Sequence, residues 1–161
     1  LGMKRLDRII HHPVFQQELE RLEFYEKDRI YCRHNLEHLL AVARTAQILN
    51  LERQANIPQD VLYAASLLHD IGRACQYATG QPHREAGVLL AQKILKDTEF
   101  TSAEQEEILD CVQHHHGRPW GGTELVSILS EADTRSRPCF SCLAAESCKW
   151  SMERRNLSLT I

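Results

Sequence analysis

Hydrophobic and polar residues alternate along most of the chain with the period of an α-helix. In segment 14–28 the apolar side chains recur every three or four residues, and Pro13 stands where such a helix can begin. Segment 59–69 is apolar almost throughout, which predicts a helix buried at the centre of the fold. The same helical spacing recurs in segments 35–53, 83–97, 102–115 and 123–134.

The connections between these segments carry turn and capping signals. Segment 74–81 is polar and predicts a linker between two helices. The helix near residue 102 opens with a capping-box pattern, at Ser102 and Gln105 or, one residue earlier, at Thr101 and Glu104. No run alternates long enough to predict a strand. The pattern therefore predicts an all-α fold, a single helical bundle of about six or seven helices.

Composition narrows the function classes. The 161 residues are 43% hydrophobic and 25% charged, as in an ordinary soluble domain. The net charge of −3, with no basic block, disfavours binding to a nucleic acid backbone. No apolar run approaches the roughly 18 residues that span a bilayer, and no secretion signal opens the sequence. We therefore expect a cytoplasmic protein without a membrane partner and with reduced cysteines.

The strongest candidate for chemistry is the run His69-Asp70-Ile71-Gly72-Arg73, which follows the apolar segment 59–69. It places an imidazole beside a carboxylate at the end of a buried helix. Nitrogen and carboxylate oxygen ligands together suit divalent metals such as iron, manganese or zinc. The run therefore indicates a candidate metal site.

Other candidate ligands recur at the ends or first turns of separate predicted helices. Such groups can converge at one end of a helical bundle, where metal sites are built from facing helices. The set consists of His34 and His38 on one helix face, His83 after Pro82, the three consecutive histidines His114, His115 and His116, and Asp133.

In five segments, in the same order, the chain resembles the HD-domain superfamily of metal-dependent phosphohydrolases. The resemblance covers about residues 34–138 and implies an HD-type helical bundle. The matching segments are HLLAVARTA from His38, LLHDIGR, PHREAG, CVQHHHG and SEADTRSRP.

The resemblance implies a role for each matching residue. His38, His69, Asp70 and Asp133 match the minimal metal-binding set. His83 and His115 match the further ligands of members that hold two metals, with Asp70 bridging them. His38 is preferred over His34 because it stands just before Val42 and Ala43, as the family's histidine does. His115 is preferred because it lies three residues after Val112, and His114 and His116 stay as alternatives.

The implied chemistry is hydrolysis by metal-activated water. Two divalent ions lower the pKa of a bridging water and clamp phosphoryl oxygens. Asp70 is then catalytic through the metals, and Arg73 is the first candidate for binding phosphate. Arg118 is a weaker substrate-binding candidate. Iron or manganese is favoured, and zinc, cobalt, nickel and magnesium also fit such ligands.

The six-ligand arrangement is similar to that of symmetrical diadenosine-tetraphosphate hydrolases. It implies a small phosphorylated substrate, a nucleotide or dinucleotide, cleaved at a phosphate ester or anhydride. Two alternatives stay open: an inactive metal-binding, nucleotide-binding or signalling HD domain, and a di-iron oxygenase of the same fold. The sequence also leaves the oligomeric state open, a homodimer included.

The cysteine-rich tail is separate from this pattern. We interpret residues 3–138 as the HD-type domain and residues 139–161 as a C-terminal extension packed on it. Cys139, Cys142 and Cys148 include a C-x-x-C pair typical of zinc or iron–sulfur ligands, and Cys32 is the favoured fourth ligand. The alternative is that these residues are reduced thiols without a metal.

Overall fold

A computed structural model describes residues 3–116 and 119–161, and the regular structure in these ranges is helical throughout. The predicted all-α fold is therefore confirmed, with eight α-helices in the described ranges. They are α1 (Lys4–Ile10), α2 (Pro13–Glu26), α3 (Leu36–Glu52), α4 (Gln59–Leu68), α5 (Arg73–Thr79), α6 (His83–Leu95), α7 (Ser102–His114) and α8 (Glu124–Arg135). Two short 3-10 turns, Cys139–Ser141 and Ala145–Ser147, follow.

Helix α4 lies at the centre of the bundle, as its apolar sequence predicts. It packs against α1, α3, α7 and α8. Val61, Leu62 and Leu68 have no exposed surface, and burial of side chains of this size is the main source of stability in such a core. Because α4 ends at Leu68, the two residues that follow it, His69 and Asp70, are still inside the protein.

Two helices were not predicted. Segment 74–81 is not a linker: residues Arg73–Thr79 form α5, which buries only Ala74 and ends at Gly80 in the left-handed conformation, with φ of 79°. A short helix with one buried side chain leaves no hydrophobic period to read. Helix α1 has the same difficulty, since its seven residues bury only Leu6 and Ile9.

The capping box of α7 lies at the earlier of the two candidate positions. The Thr101 hydroxyl accepts a hydrogen bond from the Glu104 amide at 3.2 Å, and the Glu104 carboxylate accepts one from the Thr101 amide at 2.8 Å. The pairing of Ser102 with Gln105 is wrong, because Ser102 is already the first residue of the helix.

The tail lies against the end of α8 through hydrogen bonds more than through apolar contacts. The Asn156 side chain donates to the carbonyl oxygens of Thr134 and Arg137, each at 2.8 Å. The Phe140 amide donates to the Asn156 carbonyl at 2.8 Å. Among residues 139–161, only Ala144 is buried. No helix in the described ranges has the length and hydrophobicity needed to cross a membrane.

Candidate metal centre

The structure brings all six predicted ligand residues together at one end of the bundle. They come from α3, from the turn after α4, from the first turn of α6, from the end of α7 and from α8. Their ligand atoms form two groups, each with all members within 4.8 Å of one another. One group is His38, His69, Asp70 and Asp133, and the other is Asp70, His83 and His115. Asp70 belongs to both groups.

The shared carboxylate of Asp70 lies between imidazoles on two sides. Its Oδ2 is 3.1 Å from Nε2 of His69. Its Oδ1 is 3.6 Å from Nε2 of His115 and 3.7 Å from Nε2 of His83. Asp70 is 2% exposed, so water does not solvate this charge. A buried carboxylate in this position requires positive charge beside it.

The second carboxylate, Asp133, completes the first group. Its Oδ1 lies 2.9 Å from Nε2 of His38 and 3.6 Å from Nε2 of His69. The Asp133 side chain is 24% exposed, whereas the two histidines are buried. Burial lowers the pKa of His38 to about 4, which keeps this imidazole neutral and able to bind a metal.

Carbonyl oxygens fix three of the four imidazoles so that Nε2 faces the carboxylates. Nδ1 of His69 donates to the Ser66 carbonyl at 2.6 Å. Nδ1 of His83 donates to Oε1 of Gln76 at 2.9 Å, and Nδ1 of His115 donates to the Cys111 carbonyl at 3.0 Å. With the proton on Nδ1, the Nε2 atom keeps a lone pair for a metal, which is how ligating histidines are usually held.

This arrangement leaves lone pairs facing one another. Nε2 of His83 is 3.4 Å from Nε2 of His115, although neither nitrogen carries a proton in these tautomers. Among the described residues, Nε2 of His69 and Oδ2 of Asp70 are buried atoms without a hydrogen-bond partner. Buried polar atoms are rarely left in this state. Cations placed between these atoms would satisfy all of them, so the residues present fit divalent metal ions.

The electrostatics of His69 agree with this interpretation. Burial disfavours a charged imidazole, but the carboxylates of Asp70 and Asp133 outweigh burial and raise the pKa of His69. The two aspartates therefore create a position that attracts positive charge. A divalent cation meets this demand without protonating the ligand.

Close backbone packing sets the distance between the two groups. A Cβ atom on Gly72 would lie 2.0 Å from the His83 carbonyl oxygen and 2.5 Å from the Gly87 nitrogen. Only glycine therefore lets the turn after Asp70 touch the first turns of α6. This contact carries His83 to the Asp70 carboxylate.

The alternative histidines lie elsewhere. His114 is exposed, and its Nδ1 is 2.7 Å from Asp110 on the same helix. His116 is also exposed, and its amide donates to the Ser130 hydroxyl at 3.3 Å. His34 is buried next to α2, where its Nδ1 lies 2.6 Å from Glu26. None of the three belongs to either group of ligand atoms in the described residues.

Glu26 is a residue that the sequence analysis missed. Its carboxylate accepts hydrogen bonds from the His34 amide at 2.7 Å and from the Tyr77 hydroxyl at 2.8 Å. Burial raises the pKa of Glu26, but the interactions with His34 outweigh it and lower the pKa to about 2. Glu26 thus links α2 to the segment just before α3 and to α5. No local motif announces this contact, because the partners are 8 and 51 residues away.

Arg73 stands at the edge of the cluster. Its Nε donates to Oδ1 of Asp70 at 3.0 Å, and its side chain is 27% exposed. In the described ranges, that bond is the guanidinium's only hydrogen bond. The two Nη groups are therefore available to a ligand at the exposed side. Arg118, the weaker candidate, lies outside the described residues.

The four candidate cysteines lie together as well, apart from the histidine and aspartate cluster. Cys32, Cys139, Cys142 and Cys148 line one pocket between the segment before α3 and the tail, and their thiols are free. Cys111 is buried in the core, and Cys75 lies on α5, 3.9 Å from Arg21.

Comparison with known sequences identifies the family. Residues 35–137 match the sequence model of the HD domain. The chain belongs to the HD-domain family. The matched stretch contains all six residues of the two ligand groups, from His38 to Asp133.

Relatives of this HD domain include long and short proteins. An uncharacterized protein from Clostridium beijerinckii is 32% identical over 157 residues, which cover 98% of this chain and 99% of that protein. Ribonuclease Y from Syntrophomonas wolfei is 30% identical over 129 residues, which cover 79% of this chain and 22% of that enzyme. The chain thus spans about a fifth of the length of this ribonuclease Y.

A solved structure shares the fold. The crystal structure of a predicted HD superfamily hydrolase from an uncultured Thermotogales bacterium matches with a TM-score of 0.63 at 20% sequence identity. The match covers 98% of this chain and 88% of that one. The tail therefore lies within the length over which the two chains are matched.

Proposed function

We propose that this HD domain is a metal-dependent phosphohydrolase that cleaves a phosphate ester or anhydride of a nucleotide or dinucleotide. One observation carries the proposal: the buried Asp70 carboxylate is shared by two groups of ligand atoms, and Arg73 is bound to it. Paired divalent ions beside a cation for phosphate are the elements that phosphoryl transfer needs.

The ligand set supports this chemistry. When bound, two divalent cations supply an activated water and neutralise the charge that develops on phosphoryl oxygens. We assign Asp70 to both ions because its two oxygens face different imidazoles. The donors suit iron or manganese first, with zinc, cobalt, nickel and magnesium also admitted. We assign His38, His69 and Asp133 to one ion and His83 and His115 to the other.

Arg73 has the geometry of a phosphate-positioning residue. Its Nε bond to Asp70 fixes the plane of the guanidinium, so its Nη groups are oriented before a substrate arrives. A guanidinium binds two oxygens of a phosphoryl group at once, which lysine does not do. The exposed edge of Arg73, His83 and Asp133 is the side from which substrate would enter.

The substrate class rests on charge and on relatives. The net charge of −3 favours a small phosphorylated molecule over a long nucleic acid. The resemblance to symmetrical diadenosine-tetraphosphate hydrolases supports a nucleotide or dinucleotide. The match to ribonuclease Y supports chemistry at a phosphodiester, within the same reaction class.

The test compares Arg73→Ala with the matched control Arg44→Ala, which removes an exposed arginine from α3. Tag-free proteins are stripped, loaded with Fe²⁺ or Mn²⁺ and given a panel of nucleotides and dinucleotides. We expect hydrolysis by the wild type and by R44A, and a loss of about 100-fold in kcat/KM for R73A at unchanged metal content. No turnover by metal-loaded wild type would favour a binding domain, and substrate-dependent oxygen consumption would favour an oxygenase; either overturns the proposal.

A further inference from the structure

A second cluster of potential ligands lies outside the histidine and aspartate groups. A pocket of about 260 Å³ lies between residues 30–32, the segment before α3, and the tail. Its lining includes Cys32, Cys139, Cys142 and Cys148. Each is a partly buried free thiol. Four of the chain's six cysteines therefore meet in one place, although Cys32 is more than 100 residues from the others in sequence.

Hydrogen bonds position the backbone around these thiols. The guanidinium of Arg29 donates to the Cys32 carbonyl at 2.7 Å. The Cys142 amide donates to the Cys139 carbonyl at 3.1 Å, which holds this C-x-x-C pair in a tight turn. The Trp150 amide donates to the Cys148 sulfur at 3.5 Å. A hydrogen bond to a candidate ligand atom is a contact of the kind that orients metal ligands.

Positive charge surrounds the same pocket. The guanidinium of Arg137 lines it and donates to the Arg33 carbonyl at 2.5 Å, beside Cys32. Arg155 also lines it and donates to the Cys148 carbonyl at 2.8 Å. Four thiolates around one divalent ion carry a net charge of −2. Two guanidinium groups at the wall offset that charge.

Hydrogen bonds hold the tail, and apolar burial adds little to them. Leu143 is fully exposed and Phe140 is 52% exposed, and among residues 139–161 only Ala144 is buried. Segments with so small a core are commonly held by disulfides or by a structural metal. All four thiols are free, so they are available to bind a metal ion as such a cross-link.

We propose that Cys32, Cys139, Cys142 and Cys148 bind one Zn²⁺ ion, which fastens the tail to the segment before α3. One C-x-x-C pair with two further cysteines is a usual ligand set of structural zinc. The spacing Cys139-x2-Cys142-x5-Cys148 departs from the cysteine runs of bacterial and plant-type ferredoxins, so zinc is preferred over an iron–sulfur cluster.

Zinc binding implies a local contraction of the cysteine cluster. In the described residues, no three of these sulfur atoms lie within 4.8 Å of one another. A zinc–sulfur bond is about 2.3 Å, so the turns at residues 139–148 must close on Cys32 when the ion binds. The 3-10 turns there are only three residues long each, which permits this movement. The Tyr31 hydroxyl already holds the second turn near Cys32 through hydrogen bonds to Ser147 at 3.2 and 3.3 Å.

The test counts zinc and iron per chain in tag-free protein purified under reducing conditions. The variant is Cys142→Ser, and the matched control is Cys75→Ser, which alters a partly buried thiol outside the pocket. Any zinc in the histidine and aspartate cluster is common to all three proteins. We expect the wild type and C75S to hold one more zinc per chain than C142S.

A second measurement uses only the wild type, so it does not depend on a variant's folding. Native mass spectrometry should show one zinc that a thiol-modifying reagent releases, and the Co²⁺-substituted protein should show the absorption of a four-thiolate tetrahedral site. Equal zinc in C142S and the wild type, bound iron–sulfur cluster, or a disulfide among these cysteines would overturn the proposal.

Discussion

Gly72 packs directly on the carbonyl oxygen of His83, with no room for a side chain between them. Gly87 lies on the other side of the contact, where a Cβ atom would be 2.9 Å from Val112 on α7. Three segments, namely the turn after α4, the start of α6 and the middle of α7, therefore meet through glycine. The position of His83 relative to Asp70 depends on this packing.

Gly72→Ala should lower the stability of the fold and displace His83 from the ligand group that it forms with Asp70 and His115. The added methyl meets backbone atoms of α6, which cannot rotate away as a side chain would. We expect a loss of about 1–3 kcal/mol in the free energy of unfolding, measured by chemical denaturation. The control is Gly121→Ala, since a Cβ atom there meets nothing within 4 Å. Equal stability of the two variants would show that the contact is not tight in solution.

Gln76→Ala should lower the affinity for one metal ion and leave the affinity for the other unchanged. Gln76 accepts the Nδ1 proton of His83 at 2.9 Å and thereby fixes which nitrogen faces Asp70. Loss of such an interaction typically lowers metal affinity by about 10–100-fold. Mn²⁺ titration should show this loss for one of two sites. Gln17→Ala, an exposed glutamine on α2, is the control. Loss at both sites, or at neither, would argue against the assigned role of Gln76.

The Glu26 contacts predict a pH-dependent stability. Because the pKa of Glu26 in the folded protein is lowered to about 2, its ionised form stabilises the fold. This contribution is complete above its ordinary pKa of 4.5 and is lost as the pH falls from there towards 2. Glu26→Gln should therefore be less stable than the wild type at pH 7, and the difference should narrow by pH 3.

Denaturation midpoints at pH 7, 5 and 3 check this prediction. Glu23→Gln, an exposed neighbour on the same helix, is the control and should follow the wild type at each pH. A difference between E26Q and the wild type that stays constant down to pH 3 would mean that the ionised Glu26 carboxylate does not stabilise the fold.

The sequence predicted most of the fold because hydrophobic period and burial coincide in the long helices. The expected segment 59–69 differs from α4 by a single residue. The hydrophobic pattern did not predict helices that bury few side chains, such as α5, whose single buried residue is Ala74. Tertiary contacts decide whether such a short segment is helical, and these are not written in its own residues.

In the candidate site, too, some residues could be predicted from the sequence and others could not. The side chains His38, His69 and Asp133 could be named from motifs, because the ligand atoms belong to the residues themselves. The groups that orient His69 and His115 could not, since these partners are the backbone carbonyls of Ser66 and Cys111, and every residue carries a carbonyl.

The central claim is that Asp70 is a ligand of two metal ions, whereas His83 is a ligand of one. The most direct test is equilibrium dialysis of tag-free protein against Mn²⁺, which thiolates bind poorly, followed by metal counting. The proteins are the wild type, Asp70→Ala, His83→Ala and the control His114→Ala, whose imidazole is exposed and paired with Asp110.

The account predicts two Mn²⁺ per chain for the wild type and H114A, one for H83A and none for D70A. Far-UV circular dichroism of each protein confirms that the helices are intact before the count is compared. A D70A protein that is folded and still binds two Mn²⁺, or an H83A protein that binds as many ions as the wild type, would contradict the account.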